Sequence, residues 1–378
     1  MKKISAVLIN FPVVILLLCT LLINTGCQKG ATDNPASRTA QEEVDKDSKL
    51  LKDFEQVNIV ANDIAYQPLR VDPNLINGWG IAFSATGTPW VNAQGTGLSA
   101  VYTATGTDAR PPVAIPSPGG ATGGNPTGIV FSGSTTDFIL SNNQPARFLF
   151  VGVDGIISGW NGAAGNTALL IKNNSATSAY TGLATASSGG NNFLYAADFR
   201  AGRIDVYDKS FNSVMTMPFV DPDIPAGYAP FNIERVGDKL YVLYAKVGPD
   251  GRDVPAPGNG YVSIFNTDGS FVSRFTSRGQ LNAPWGIAKA PATFWGEGSS
   301  NPADVILVGN FGDGRINAFS SDGTFIGQLR KHGEPIVIYG LWAITFAPTT
   351  ATSVDPNRLF FAAGPDHEED GLYGYIHK

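Results

Sequence analysis

Between residues 282 and 329 the apolar residues fall into four short runs. These are Trp285-Gly286-Ile287-Ala288, Val305 to Val308 running into Gly309-Asn310, Arg315-Ile316-Asn317-Ala318-Phe319, and Phe325-Ile326-Gly327-Gln328-Leu329. Gly, Asp, Asn or Pro bounds each run, and tight-turn sequences such as Phe311-Gly312-Asp313-Gly314 separate them. Short apolar runs punctuated in this way predict antiparallel strands joined by hairpins. Four such strands in under about fifty residues are one propeller blade, and the block recurs along the chain at a period of roughly 50 residues.

Six blocks are found. Blade 1 is expected from residues 79–83, 89–92, 98–103 and 113–115. Blade 2 takes 128–131, 148–151, 156–160 and 168–171, with an extra segment at 135–146. Blade 3 takes 182–184, 193–197, 203–207 and 214–219, and blade 4 takes 231–233, 240–244, 260–265 and 271–275, with an insertion at 248–258. Blade 5 is the block above. Blade 6 has only 341–346, 359–363 and 372–376, so its fourth strand is missing, while 56–61 (Gln-Val-Asn-Ile-Val-Ala) is a spare strand at the other end. A ring needs its last sheet tied to its first, so residues 56–61 are predicted to complete the last blade. The fold class is all-β, a six-bladed β-propeller closed by an N-terminal strand. Equivalent inner positions carry Gly80, Gly128, Gly182, Asn232, Gly286 and Ala343. Small residues suit them, because six sheets crowd together at the axis.

Composition supports one large all-β body at residues 54–378: of 378 residues, 44 are Gly and 25 Pro, and only 15% are charged. The net charge of −6 lacks the basic face that a nucleic-acid partner needs. Both cysteines, Cys19 and Cys27, precede the body, which excludes a disulfide framework or a Cys-based site within it. Lys2 and Lys3 before an apolar stretch at 11–23 read as a signal peptide over residues 1–27. Its end, Asn24-Thr25-Gly26-Cys27, resembles the lipobox of bacterial lipoproteins, which implies lipidation at Cys27. An ordinary secretory signal is the alternative. Residues 28–53 are polar and charged and read as a tether. Together these predict an extracytoplasmic protein anchored to the cell envelope by its N-terminal lipid, or secreted if Cys27 is not lipidated.

Few residues in the body carry chemistry. Asn92, Asp198 and Asn310 each end a second strand, and Asp154 lies nearby in blade 2. If those ends share one face of the ring, their oxygens converge on the channel mouth, where Asp198 and Asn310 are the candidate metal ligands and calcium the candidate cofactor. The alternative is that these Asn and Asp residues cap turns by bonding their own backbone. The cluster Asp366-His367-Glu368-Glu369-Asp370 is either a calcium-binding loop or a solvated hairpin turn. Arg203 and Arg315 share a Gly-Arg-Ile context and suit a common structural contact. His332, His367 and His377 have no ligand spacing, and no Ser-His-Asp set can be assembled.

The segments Asn282-Ala-Pro-Trp-Gly-Ile and Asn125-Pro-Thr-Gly-Ile resemble the NHL-type propeller repeat. With Asn77-Gly-Trp-Gly-Ile-Ala-Phe, Phe199-Arg-Ala-Gly-Arg-Ile-Asp-Val-Tyr and Gly309-Asn-Phe-Gly-Asp-Gly-Arg-Ile-Asn-Ala-Phe, the body resembles an uncharacterised bacterial family of six-bladed propellers, some with exosortase-type sorting tails. That resemblance implies the fold and no activity. Two readings follow for function, beside an electron-transfer or quinone-dependent oxidoreductase for which the chain shows no haem motif. One is a binding or scaffold propeller that holds an unidentified protein or small-molecule ligand through loops such as 248–258. The other is a calcium-dependent lactonase or esterase-like hydrolase acting at the central channel.

Overall fold

The block that organises the sequence forms one antiparallel sheet, with strands Pro284–Lys289, Ile306–Asn310, Ile316–Phe319 and Phe325–Gln328 ordered from the axis outward. The computed structural model describes residues 50–296 and 304–378. The signal segment, Cys27 and the tether as far as residue 49 lie outside the described residues. Leu50 and Leu51, at the tether's expected end, are buried in the core with Phe54. Among the described residues no helix is long and apolar enough to cross a membrane.

Six sheets of this kind make the ring. Four-stranded sheets also start from the inner strands Gly78–Phe83, Pro126–Phe131 and Tyr228–Val236. Blade 6 is built from Leu341–Phe346, Leu359–Ala363 and Leu372–His377, Glu55–Ala61 is its fourth strand, and the two-residue strand Arg70–Val71 pairs in parallel along that strand's far edge. The closing register runs antiparallel from Glu55 opposite His377 to Ala61 opposite Leu372. Its side chains Ile59, Val60 and Ala61 are fully buried. Burying Ile59 and Val60 contributes about 2 kcal/mol each, and the spare strand closes the ring as predicted.

Blade 3 departs from expectation. Its sheet has three strands, Tyr180–Ser188, Asn191–Asp198 and Arg203–Asp208. The predicted fourth, residues 214–219, leaves the edge after a single bridge between Tyr207 and Ser213. Two forces draw it off. Pro218 cannot donate to a ladder, and Phe219, at φ 43°, packs on Tyr195 and Phe265 while its N–H donates to the Gly269 carbonyl of blade 4.

The inner strands share one irregularity. In all six the pairing register shifts at the same point, beside Trp79, Thr127, Thr181, Phe231, Trp285 and Trp342. Such bulges re-aim a side chain, and the aromatic residues among these meet across the axis. Trp342 stacks on Trp79 at 3.6 Å, Trp285 stands edge-on to both, and its indole N–H reaches the Thr181 carbonyl of blade 3 at 2.9 Å. The next residue in each strand touches its neighbour blade's backbone: a Cβ on Gly80 would stand 2.3 Å from the Thr127 carbonyl oxygen, and one on Gly128 2.6 Å from the Leu183 nitrogen. Small residues are therefore required there, except at Asn232, whose amide fills the space by bonding the Trp285 carbonyl and the Ile233 N–H.

Candidate functional site

The turns between second and third strands share one face of the ring. In blade 5 this turn is the tight sequence Phe311 to Gly314, whereas blades 4 and 6 carry long loops on either side of it. The two loops flank a cleft of about 830 Å³ with Phe311 on its floor and Tyr66 and Tyr339 among its walls. Phe311 stacks on Trp342 at 3.9 Å, so the floor is continuous with the aromatic plug of the axis.

Charged groups from the two loops meet in this cleft. The Arg252 guanidinium donates to Glu368 Oε2 at 3.1 Å. Its neighbour Asp253 has one carboxylate oxygen, Oδ2, buried without a hydrogen-bond partner. Burial, reinforced by the Glu368 charge and opposed by Arg252, pushes the Asp253 carboxyl up to about 6. Burial raises Glu368 as well, against the pull of Arg252. The blade 6 loop holds this geometry under strain. Asp366, His367 and Glu368 are consecutive left-handed residues at φ 51°, 57° and 71°, a conformation costing about 1 kcal/mol or more for each residue other than glycine. Asp370 pins the end of the loop by accepting from Asn62 Nδ2 at 2.7 Å and the Tyr66 hydroxyl at 2.6 Å. Tyr339 is 72% exposed, a large ring open to a ligand.

The four residues singled out from the sequence are not in the cleft lining. Asn92 Nδ2 donates to the Thr127 carbonyl at 2.9 Å and ties blade 1 to blade 2. Asp154 accepts from the Asn125 and Ile156 N–H groups, at 3.0 and 3.4 Å, and burial raises its pKa against these bonds. Asp198 Oδ1 accepts from the Ala179 and Ala201 N–H groups, both at 3.0 Å, and its Oδ2 is buried without a partner. Asn310 accepts from the Asn282 N–H at 3.1 Å and donates to the Gln280 carbonyl and to Asp313. The Ile156 bond of Asp154 and the Ala201 bond of Asp198 lie within their own turns, whereas Asn92 bonds the next blade, and Asp154, Asp198 and Asn310 also hold the N–H that leads into their own blade's inner strand. Among the described residues no group of three or more His, Cys, Asp or Glu stands together to hold a metal ion, whereas calcium takes about six or more oxygens.

The channel mouth, where those residues were expected to converge, is filled by indole rings, and the axial cavity below measures about 20 Å³, room for one water. Glu234 is the one ionisable side chain on its wall, half-buried, with its carboxyl pushed up to about 8 by burial. Sequence reasoning missed Arg252, Asp253 and Glu234, although it named the insertion that carries the first two and the acidic loop that faces them. The signal lay in the blade alignment, which places both loops at the same strand junction with a tight turn between them.

No family model matches the chain. It is 35% identical over 337 residues to the uncharacterised protein R648 of Acanthamoeba polyphaga mimivirus, spanning 85% of this chain and 80% of that protein. It is 45% identical over 208 residues to the uncharacterised protein L690 of the same virus, spanning 53% and 52%. Both relatives are viral, whereas the sequence resemblance pointed to a bacterial family. Among solved structures a streptogramin B lyase is similar at a TM-score of 0.47 and 15% identity, over 86% of this chain and 97% of the lyase.

Proposed function

We propose, for a chain that belongs to the family of the mimivirus protein R648, that it is a binding propeller whose ligand seats in the cleft over blades 4 to 6. One observation carries this reading: two long loops flank a tight turn and bring Arg252, Asp253 and Glu368 to a volume floored by Phe311 and walled by Tyr339. Concave sites with aromatic walls and a few convergent polar groups are where small ligands bind. The strained residues 366–368 support the reading, because backbone strain of this kind collects at ligand clamps. The sequence supports an envelope location through the apolar stretch at 11–23 and the lipobox-like ending at Gly26-Cys27. A ligand-observed NMR fragment screen tests the site. Fragments that bind the wild type should lose binding in the Arg252→Ala, Glu368→Gln double variant at an unchanged melting temperature. An identical hit list in both proteins refutes the site.

A hydrolase is the second reading, and Asp253 is what favours it. A carboxylate poised near neutrality with a buried, unpartnered oxygen can take a proton from water attacking an ester or lactone, while Arg252 would face the oxyanion that develops. Such activity should rise with pH through about 6 as Asp253 ionises and vanish in Asp253→Asn. An aryl-ester and lactone panel with no turnover above buffer sinks this reading and leaves the binding reading standing.

A further inference from the structure

In this ring the fourth place of blades 1, 2, 4 and 5 is filled by the next stretch of chain, and in blade 6 by Glu55–Ala61. In blade 3 it is taken only at one end. The Val214 N–H donates to the Val206 carbonyl and the Asp208 N–H to the Asn212 carbonyl, after which the chain departs. Backbone groups alternate sides along a strand, so if the Val206 carbonyl points outward, the N–H and C=O of Ile204 do too. Among the described residues no strand pairs with the outer edge of Arg203–Asp208 beyond that bridge. What remains is a trough of about 390 Å³, with Arg203 and Ile204 on its floor and Lys172 and Met215 among its walls.

We propose that blade 3 receives an extended peptide as its missing fourth strand, antiparallel to Arg203–Asp208, with an acidic side chain set against Arg203 and Lys172. The required length is modest, because blade 1 is completed by Val113–Ala114 with only two paired positions. Charge selects the occupant. Asp205 is already satisfied, its two oxygens held by Arg203 Nε at 2.6 Å and the Tyr180 hydroxyl at 2.9 Å. Arg203 is 57% exposed along its side chain, and Lys172 adds a second cation on the wall. Met215, 88% exposed, offers apolar contact to the peptide's alternate side chains. A second copy of the chain fits less well, since its own blade 3 edge lies in the same kind of trough. The charged edge blocks indiscriminate pairing while leaving strand addition, in which backbone bonds give affinity and side-chain pockets give specificity.

The test uses the full chain and a short fluorescein-labelled peptide, Thr-Val-Glu-Val-Glu-Val-Thr, read by anisotropy. Saturable binding is expected. N-methylation at residues of one parity should weaken it by roughly tenfold or more, about one ladder hydrogen bond or two, while the other parity is spared. Arg203→Glu should weaken this peptide comparably and favour its Glu-to-Lys counterpart. Absence of saturable binding at millimolar peptide overturns the proposal. So does binding indifferent to both N-methylation patterns or to Arg203→Glu. A dimer in sedimentation that Met215→Asp dissociates would assign the edge to a second copy and overturn it as well.

Discussion

In the structure blades 3 and 6 each form only three strands from their own stretch of chain, and the molecule treats them differently. Blade 6 recovers its fourth strand from the chain's other end, through a register of six paired positions and three fully buried side chains. Blade 3 recovers one bridge and stays open. The difference shows which edges a ring must close. The outer strand of blade 6 links the first turn of the ring to the last, whereas the outer strand of any other blade only widens its own sheet. Closure is therefore demanded at the seam, and an open blade elsewhere is affordable because the inner strands carry the ring.

Removing the seam gives the largest expected effect. Deleting residues 55–61 exposes the full edge of Leu372–His377 and the core around Phe361 and Tyr373. The expected outcome is loss of the cooperative melting transition and aggregation through the bare edge, read by calorimetry and light scattering. A monomer that melts as the wild type does would mean the seam is no more critical than blade 3.

Next comes the inside of the open blade. Gly182 lies in the inner strand of blade 3, and a Cβ there would stand 2.0 Å from Asn232 Oδ1 and 2.7 Å from the Asn232 Cα. Gly182→Ala must push back the inner strand of blade 4 and break the Asn232 bond to the Trp285 carbonyl. Overpacking of this kind costs about 3 kcal/mol, measurable by chemical denaturation. A change below about 0.5 kcal/mol would show that blade 3 is loose inside as well as outside, and that its open edge reflects a weak blade.

The same inner wall carries one group that opposes it. Glu234 has its carboxyl raised from 4.5 to about 8 in the folded protein. The folded state thus keeps a proton that the unfolded chain releases at lower pH. This contributes stability that is fully present below about 4.5 and lost as pH rises through about 8. The wild type should lose about 2 kcal/mol between roughly pH 6 and pH 9 through this group, and Glu234→Gln should abolish that slope. An unchanged slope in the variant would place the axial wall in contact with bulk water.

How far the sequence reveals these regions depends on whether the deciding force is local. The closing strand was legible because Gln56-Val-Asn-Ile-Val-Ala alternates and blade 6 visibly lacks a partner. Val214-Met-Thr-Met-Pro-Phe also reads as a strand, yet Phe219 is drawn to Tyr195 and Phe265, contacts that local pattern cannot foresee. The Asn and Asp residues at strand ends were visible, and both their possible roles were named, but only the ring places Asn282 and Ala179 where their N–H groups meet Asn310 and Asp198. Glu234 follows Phe231-Asn-Ile like any solvent-facing residue of an alternating strand. Its position on the axis depends on all six inner strands at once. The cleft is the same kind of object, since Arg252 and Glu368 are 116 residues apart and meet only across blade 5.

The smallest effect is expected at the open edge itself. Met215 follows the point at which the chain leaves the blade 3 edge; it is 88% exposed and belongs to none of the core clusters. Its counterparts at the seam, Ile59 and Val60, are fully buried. Met215→Ser therefore removes almost no buried surface and should change stability by less than about 0.5 kcal/mol, as surface substitutions away from special features do. The comparison is sharpest when both proteins are denatured with and without a saturating strand-forming peptide. Under strand addition the peptide should stabilise the wild type more than Met215→Ser, because the bound strand buries the methionine that the free protein leaves in water. Equal stabilisation of the two proteins would remove Met215 from the contact. A Met215→Ser protein already destabilised by more than about 1 kcal/mol without peptide would show that the segment after Val214 supports the blade, and the contrast between blades 3 and 6 would narrow accordingly.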